Sequence, residues 1–309
     1  MLWEPLEAQE VRCKLCNFRC RIKPGKTGHC LVRENRAGKL YSLNYSAVCS
    51  VNVDPIEKKP LFHFYPGSRS LSYAAPGCNF RCEFCQNWQI SQEVRLWKKI
   101  DGRAYSPKQL VQAAVEGKCA SIAHTYTEPT IYFELAYETA KLGHEKGLTN
   151  VFVSNGYMTT EAITMIEPYL DGINVDLKSF RDDFYRQRTG ARLEPVLETL
   201  RYIAGRTDIW LEVTTLVIPG GNDSEEELGD LARFIAEELG AEVPWHVSRF
   251  HPDYESRDIP ATPVEKLDQA RQIGLKAGLR YVYCGNIPSD RSESTFCHKC
   301  GKELIGRKY

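Results

Sequence analysis

Short apolar segments alternate with segments of helical periodicity from about residue 70 to residue 285 of this chain. The first predicted helix, SPKQLVQAAVEG, begins with Ser106 as its N-cap and proline at its first helical position. Strands that alternate with helices form parallel sheets through right-handed crossovers. The sequence therefore predicts an α/β fold whose sheet is an open or closed barrel. The predicted strands are 70–78, 121–127, 150–156, 172–178, 209–221, 244–252 and 279–285.

Reactive side chains stand where these predicted strands end. Parallel barrels build their active sites at the carboxyl ends of their strands, so we expect these side chains to share one rim. They are Cys78, Glu128, Asn155, Asp176 with Lys178, and His251.

The chain has 12 cysteines in 309 residues, and most of them cluster at metal-ligand spacings. The first ten residues, MLWEPLEAQE, lack the basic and apolar regions of a signal peptide, and no window offers a membrane span. We expect a cytoplasmic protein, in which metal binding is a better explanation of clustered cysteines than disulfides. The isolated Cys119 and Cys284 are predicted to be buried structural thiols.

The formal net charge is zero, which argues against a nucleic-acid partner. Residues 11–40 nevertheless carry nine Lys or Arg against one Glu. A solvated face explains this run most simply, and a docking patch for an anionic partner is the alternative.

The stretch GCNFRCEFCQNW places Cys78, Cys82 and Cys85 at Cys-x3-Cys-x2-Cys spacing. A cluster held by four cysteines has all its irons occupied and suits electron transfer. Three thiolates on a four-iron cluster leave one iron open to a substrate or cofactor, as an open zinc site does. Spacing alone also leaves room for a zinc knuckle.

This stretch resembles the signature of the radical S-adenosylmethionine (SAM) superfamily. The resemblance implies a partial (β/α)6-type TIM barrel and a [4Fe-4S] cluster on Cys78, Cys82 and Cys85. In that family SAM chelates the open iron, and its reductive cleavage gives a 5'-deoxyadenosyl radical that takes hydrogen from a substrate. Phe84 stands at the aromatic position where the family rests the adenine.

Residues 70 to 255 resemble the pyruvate formate-lyase activating enzyme branch more closely. TYTEPT stands at that branch's Gly-Gly-Glu-Pro and implies that Glu128 binds the SAM ammonium. SNG resembles its Asn-Gly turn and implies that Ser154 and Asn155 contact SAM. The alternative for Glu128 is a helix cap.

VDLK, VIPGGND and FHP also match motifs of this branch. They imply that Asp176 and Lys178 bind SAM and that His251 lies at its ribose side. The alternatives are a surface ion pair for Asp176 and Lys178 and a hydrogen-bonded core histidine for His251.

The sequence departs from the motifs of this branch at two places that bear on the identity of the protein partner. Tyr126 and Thr127 replace the two glycines of Gly-Gly-Glu-Pro, and Thr214 stands where activating enzymes usually carry arginine. Both departures argue against a glycyl radical enzyme as the partner.

The head and tail of the chain carry further ligand sets, CKLCNFRC with Cys30 and CHKCG. Cys-x-x-Cys-Gly is the knuckle of a zinc ribbon, which needs a second pair of ligands. We favour zinc on two such pairs, and a second iron-sulfur cluster on four head cysteines is the alternative. The zinc set is Cys13, Cys16, Cys297 and Cys300, and the alternative set replaces the tail pair with Cys20 and Cys30.

Nearly the whole chain resembles the radical SAM enzymes encoded alongside Memo-like and AMMECR-like proteins. This resemblance predicts a head and barrel-covering segment at 1–66, a barrel at 67–285, and a tail at 286–309 that packs with the head. Lys58, Lys59 and His63 in the covering segment are expected to pack, with substrate contact as the alternative.

The resemblance implies an enzyme with a flavodoxin- or ferredoxin-like reductant and an unidentified substrate, which a protein could supply. An activase for a glycyl radical enzyme is the alternative within this class. A metal-binding scaffold with a basic docking head is the alternative of another class.

Overall fold

Strands and helices alternate along the chain after a head of short strands. The structure, a computed structural model, describes residues 1–287 and 291–307. The strands are β1 Trp3–Pro5, β2 Val11–Cys13, β3 Arg21–Ile22, β4 Arg33–Arg36, β5 Lys39–Ser42, β6 Ala47–Val48, β7 Ser50–Pro55, β8 Arg69–Ala74, β9 Arg103–Ala104, β10 Ser121–His124, β11 Thr149–Ser154, β12 Gly172–Asp176, β13 Trp210–Val217, β14 Trp245–Arg249, β15 Val282–Gly285, β16 Thr295–Phe296 and β17 Glu303–Ile305. The α-helices are α1 Trp88–Ser91, α2 Glu93–Trp97, α3 Pro107–Glu116, α4 Phe133–His144, α5 Thr160–Ile166, α6 Asp182–Phe184, α7 Glu194–Arg206, α8 Glu225–Phe234 and α9 Val264–Lys276.

The main sheet has eight strands in the described part of the chain, in the order β15-β14-β13-β12-β11-β10-β8-β7. Parallel pairing joins β8 to β10, β10 to β11, β13 to β14 and β14 to β15. The edge strand β7 is antiparallel to β8. This mainly parallel sheet with connecting helices confirms the predicted α/β, partial-barrel fold.

The helix signals in the sequence act as predicted. Ser106 and Gln109 form a capping box at the start of α3, with proline at the first helical position. The helix predicted from Pro129 begins instead with a 3-10 turn, Pro129–Tyr132, before α4. None of the helices in residues 1–287 and 291–307 has the length and apolar character needed to cross a bilayer.

The strand predicted at 121–127 ends early, at His124. Tyr126 adopts a φ of +62°, in the left-handed region that extended chains do not use. The segment after His124 is therefore a turn, and it carries Glu128.

The contacts divide the chain into two units. The first unit comprises Met1–Arg81, Asn87–Asn174 and Thr207–Trp210, and the second comprises Cys82–Gln86, Val175–Arg206 and Leu211–Tyr309. The domain boundaries at 66 and 285 stay predictions, and of the predicted tail, 288–290 and 308–309 lie outside the described residues.

In the first unit, residues of the predicted covering segment pack against strands β10 and β11. A buried apolar cluster is formed by Ile56, Leu61, Phe64, Ala123 and Val151. The second unit has its own core, in which the indole of the fully buried Trp245 donates to Thr215 Oγ1 at 3.0 Å.

Polar residues of the covering segment are also packed. Lys59 is 1% exposed and its Nζ lies 2.7 Å from Asp54 Oδ2, while the His63 ring stacks on Trp210 at 6.2 Å. Lys58, more exposed, binds the other oxygen of Asp54 at 3.0 Å. Lys59 and His63 therefore have the contacts of packed residues, as expected from the sequence, whereas the Lys58 side chain is 62% exposed.

A buried ion pair fastens the head of the first unit to α4. Arg33, which opens β4, donates to both oxygens of Glu134 at 2.6 and 2.5 Å and to Ile131 O at 3.1 Å. Arg33 is 3% exposed. Burial alone would raise the pKa of Glu134, but the Arg33 guanidinium outweighs it and lowers this pKa to about 2.

Glu134→Gln is expected to lower the free energy of unfolding by about 3 kcal/mol, because it leaves a buried guanidinium without its partner charge. The folded pKa is depressed, so the pair stabilises fully above the unfolded value of 4.5 and loses its effect as pH falls toward 2. Anaerobic denaturant unfolding at pH 7 and pH 3 measures both effects.

The control is Glu161→Gln. Glu161 binds Arg19 at 2.7 Å, but both side chains are 41% exposed, so its loss should cost under about 1 kcal/mol. Equal losses in the two variants would contradict the role of the Arg33 pair.

Candidate active site

Gly77 sets the path of the chain into the cysteine stretch of the first unit. Its φ is +104°, and a Cβ there would meet Val32 Cγ1 at 3.1 Å. Its N–H donates to Ile90 O at 2.9 Å. Only glycine suits this position, which places Cys78 directly after the loop that follows β8.

Hydrogen-bond donors surround the Cys78 sulfur. The Phe80 N–H lies 3.4 Å from Cys78 Sγ, and Asn155 Nδ2 lies 4.0 Å from it. Asn155 Nδ2 also donates to Asn79 Oδ1 at 2.7 Å. Asn79 is fully buried, and its Nδ2 has no hydrogen-bond partner among the described residues. The donors close to the Cys78 sulfur, together with the Asn79 amide that lacks an acceptor among the described residues, suit a cysteine thiolate that binds an iron-sulfur cluster.

Sequence reasoning missed Asn79 and Gln92 as supports of this loop. Gln92, 2% exposed, donates through Nε2 to Phe80 O at 3.1 Å. The position of Asn79 directly after Cys78 was a usable signal for its role. Gln92 gives no such signal, because its contact depends on how α1 folds back on the loop.

Glu128 is 3% exposed, and its carboxylate is held by donors from two loops of the first unit. Oε1 accepts from Thr130 N at 3.1 Å, Thr130 Oγ1 at 2.6 Å and Ser154 Oγ at 2.9 Å. Oε2 accepts from Asn155 N at 2.8 Å. The helix-cap alternative is therefore real, since Glu128 caps the 3-10 turn. Burial raises its pKa, and these hydrogen bonds oppose the rise.

The loop after β11 is ordered by the same side chains. Ser154 Oγ accepts from Gly156 N at 3.0 Å, and Asn155 Oδ1 accepts from Tyr157 N at 3.1 Å. Ser154 and Asn155 are 1% and 6% exposed. The structure thus brings together Cys78, Glu128, Ser154 and Asn155 within the first unit, and the binding of SAM by these residues stays a prediction.

In the second unit, Cys82 and Cys85 lie on one turn, with Cys85 N 3.3 Å from Cys82 O. The intervening Glu83 N donates to Arg188 O at 3.1 Å, which fixes the turn. Phe84 is 3% exposed and lies 5.8 Å from the Phe184 ring.

Asp176 and Lys178 follow β12 in the same unit and form an ion pair of 3.1 Å. Burial would lower the pKa of Lys178, but Asp176 and the Cys82 thiol outweigh it and raise this pKa. Burial raises the pKa of Cys82 to about 12, and nearby Lys178 acts against that rise. The Lys178 side chain is 15% exposed and so largely buried, whereas that of Asp176 is 37% exposed.

His251 lies just past β14 and is exposed, so the core-histidine alternative does not hold. The core histidine of this strand is His246, 3% exposed, whose Nε2 lies 2.6 Å from Glu212. Sequence reasoning did not single out this buried pair.

The two departures from the activating-enzyme branch have distinct surroundings. Tyr126 hydrogen-bonds Asp54, and its ring faces Lys59 Nζ at 4.5 Å. Thr127 Oγ1 donates to Ala75 O at 2.7 Å, which joins this loop to the one before Cys78. In the second unit, Thr214 is 6% exposed, and its Oγ1 has no partner among the described residues.

The head cysteines belong to the first unit and the tail pair to the second. In the tail, Cys297 N donates to Lys302 O and Gly301 N donates to Cys297 O, each at 2.8 Å, as in a knuckle. Cys119 and Cys284 are buried, as predicted. Within residues 1–287 and 291–307, no three His, Cys, Asp or Glu side chains are arranged so that they could hold a metal ion together.

Relatives cover nearly the whole chain. An uncharacterised protein of Methanocaldococcus jannaschii is 46% identical over 307 residues, which are 99% of this chain and 90% of that protein. A second protein of that organism, provisionally named a glycyl-radical enzyme activating enzyme, is 24% identical over 77% of this chain and 86% of its own.

A radical SAM methyltransferase from Sphaerobacter thermophilus shares the fold, with a TM-score of 0.58 at 18% identity over 78% of this chain and 71% of that one. The sequence model of the radical SAM superfamily matches residues 73–235. Because this match covers more than half of the chain, the protein belongs to the radical SAM superfamily, whose enzymes use a [4Fe-4S] cluster to cleave SAM.

Proposed function

We propose that Cys78, Cys82 and Cys85 are the three protein ligands of the [4Fe-4S] cluster. When bound, the cluster and SAM supply a 5'-deoxyadenosyl radical, which abstracts hydrogen from a substrate. The observation that carries the proposal is the Cys-x3-Cys-x2-Cys stretch with N–H donors directed at the Cys78 sulfur. Hydrogen bonds to sulfur stabilise the thiolate and tune such a cluster.

The remaining predicted site residues are proposed to bind SAM. Glu128 offers a carboxylate for the SAM ammonium group, and its hydrogen bonds from Thr130 and Asn155 hold that carboxylate in a fixed orientation. Asn155 and Ser154 belong to the loop after β11, where Asn155 lies beside Cys78 and Ser154 donates to Glu128. These contacts pre-position acceptors before SAM arrives, which lowers the ordering cost of binding.

In the second unit, Lys178 is proposed to meet the SAM carboxylate, with Asp176 holding its ammonium in place. Phe84 offers a buried aromatic face for the adenine, and the exposed His251 is free of core packing and is proposed to lie at the ribose side.

The substrate is unidentified, and a glycyl radical enzyme is the second candidate. The provisional name of the second relative favours an activase. The buried Thr214 hydroxyl, which has no hydrogen-bond partner within residues 1–287 and 291–307, stands at the usual arginine position and argues against an activase. A metal-binding scaffold with a basic docking head remains the alternative of another class, favoured only if the loaded protein fails to cleave SAM.

Further proposals follow the sequence resemblance. We infer a flavodoxin- or ferredoxin-like reductant, a cytoplasmic location, and Memo-like and AMMECR-like proteins as partners. A second metal, zinc or a second iron-sulfur cluster, is proposed for the head cysteines, either with the tail pair or without it.

A variant with Cys78, Cys82 and Cys85 all changed to alanine should lose about four irons per chain and all reductant-dependent 5'-deoxyadenosine formation, because the cluster then has no protein ligands. Iron and sulfide counts after anaerobic reconstitution, with chromatographic detection of the nucleoside, measure both. Cys119→Ala, a change at a buried solitary thiol, serves as control and should keep both. Wild type that is fully loaded yet leaves SAM intact would overturn the proposal.

Glu128→Gln should weaken SAM binding roughly tenfold, since it removes the anion opposite the ammonium and turns an amide NH2 toward donors that now bind a carboxylate. Equilibrium binding of SAM to the reconstituted protein gives the dissociation constant, and the iron content should not change.

Glu57→Gln is the matched control. Glu57 is 8% exposed and accepts from Gly67 N at 2.6 Å, so it is a buried carboxylate that also holds a turn. An equal loss of SAM affinity in both variants would show that Glu128 acts through stability alone.

A further inference from the structure

We propose that the four head cysteines hold a second metal centre inside the first unit, and that this centre clamps the loop that carries Asn155. The metal site is independent of the proposed function, whereas its effect on SAM binding rests on it. The proposed ligands are Cys13, Cys16, Cys20 and Cys30.

The four thiols are neighbours. Antiparallel pairing of β2 with β3 brings Cys13 to Cys20, with Cys13 N 3.0 Å from Cys20 O. Arg19 N donates to Cys16 O at 2.9 Å, so Cys16 opens the turn that leads to Cys20. His29 N lies 3.4 Å from Cys20 Sγ, which brings the next residue, Cys30, close to Cys20. The four cysteines therefore lie in one part of the head.

A backbone donor is directed at one of these sulfurs, since His29 N lies 3.4 Å from Cys20 Sγ. Backbone N–H groups close to a cysteine sulfur are typical of thiolate ligands of iron-sulfur centres.

Four thiolates suit zinc or an iron-sulfur cluster, and the shared chemistry is a tetrathiolate centre. As the side chains stand, no three of them are in ligand geometry within the described residues. Metal binding therefore requires these side chains to change conformation around the ion. The tail pair, Cys297 and Cys300, is the competing source of two ligands.

The segment between the first and third cysteines grips the loop after β11. Asn17 N donates to Tyr157 O at 2.9 Å, and Asn17 Nδ2 donates to Met158 O at 3.0 Å. Thr159 Oγ1 donates to Lys14 O at 2.6 Å, and Thr159 N donates to Leu15 O at 3.1 Å. Ordering this segment therefore orders residues 157–159.

Tyr157 connects the head to the candidate SAM site, because it contacts residues of both. Its ring lies 4.9 Å from Phe18 and 5.2 Å from Phe80, and its N–H donates to Asn155 Oδ1 at 3.1 Å. Asn155 in turn donates to Asn79, next to Cys78. A metal centre in the head would therefore act as a clamp on the cluster-side loop.

The test compares Cys20→Ser/Cys30→Ser with Cys297→Ser/Cys300→Ser in the full chain, purified anaerobically. Besides the four irons of the radical cluster, wild type should contain either about one zinc or about four more irons per chain. The head variant should lose that extra metal, and the tail variant should keep it. Full metal in the head variant, or loss in the tail variant, overturns the assignment.

The head variant should also bind SAM roughly tenfold more weakly, because removing groups that support a binding site from outside typically costs about this much affinity. Unchanged SAM affinity in a metal-depleted head variant overturns the clamp. Failure of the proposed function is distinguishable, because wild type would then hold the head metal but leave SAM uncleaved.

Alkylation of wild type covers the case in which the head variant does not fold. Mass spectrometry after iodoacetamide treatment should show that the head thiols become reactive only when a chelator has removed the metal. Unchanged head alkylation after chelation would contradict the centre.

Discussion

The carboxylate of Glu128 is the interaction on which the candidate site residues of the first unit depend. It sits at the end of β10 and binds the turn that begins with Thr130 as well as Ser154 and Asn155 at the end of β11. A buried carboxylate is stable only when such donors satisfy it. Its burial therefore obliges the two loops to stay together, and Asn155 carries that order to the surroundings of Cys78.

The second unit holds its loop after β12 by the same physical means. Glu227 of α8, 5% exposed, accepts from Ser179 Oγ at 2.5 Å and from Phe180 N at 2.8 Å. Asn222 Nδ2 donates to Lys178 O at 2.6 Å. Buried acceptors and amides thus fix the backbone on both sides of Lys178, while its ammonium is oriented by Asp176. In each unit, rigid strands position the loops that carry the candidate residues, and buried polar side chains determine the shape of those loops.

Sequence predicted the order of strands and helices because periodicity and caps such as Ser106 are local properties. It also predicted that Cys78, Glu128 and Asn155 follow strand ends, since a parallel sheet gathers those ends. It could not predict that Glu128 both caps a turn and binds the next loop, because that contact joins residues 26 apart. The burial of Lys59 against Asp54 and the left-handed Tyr126 likewise arise from tertiary packing.

Electron paramagnetic resonance of the anaerobically reduced protein, with and without SAM, tests the proposed cluster most directly. The reduced cluster should give a signal that depends on Cys78, Cys82 and Cys85 and changes shape when SAM binds the open iron. A signal from those cysteines that stays the same at saturating SAM would contradict an open iron that binds SAM.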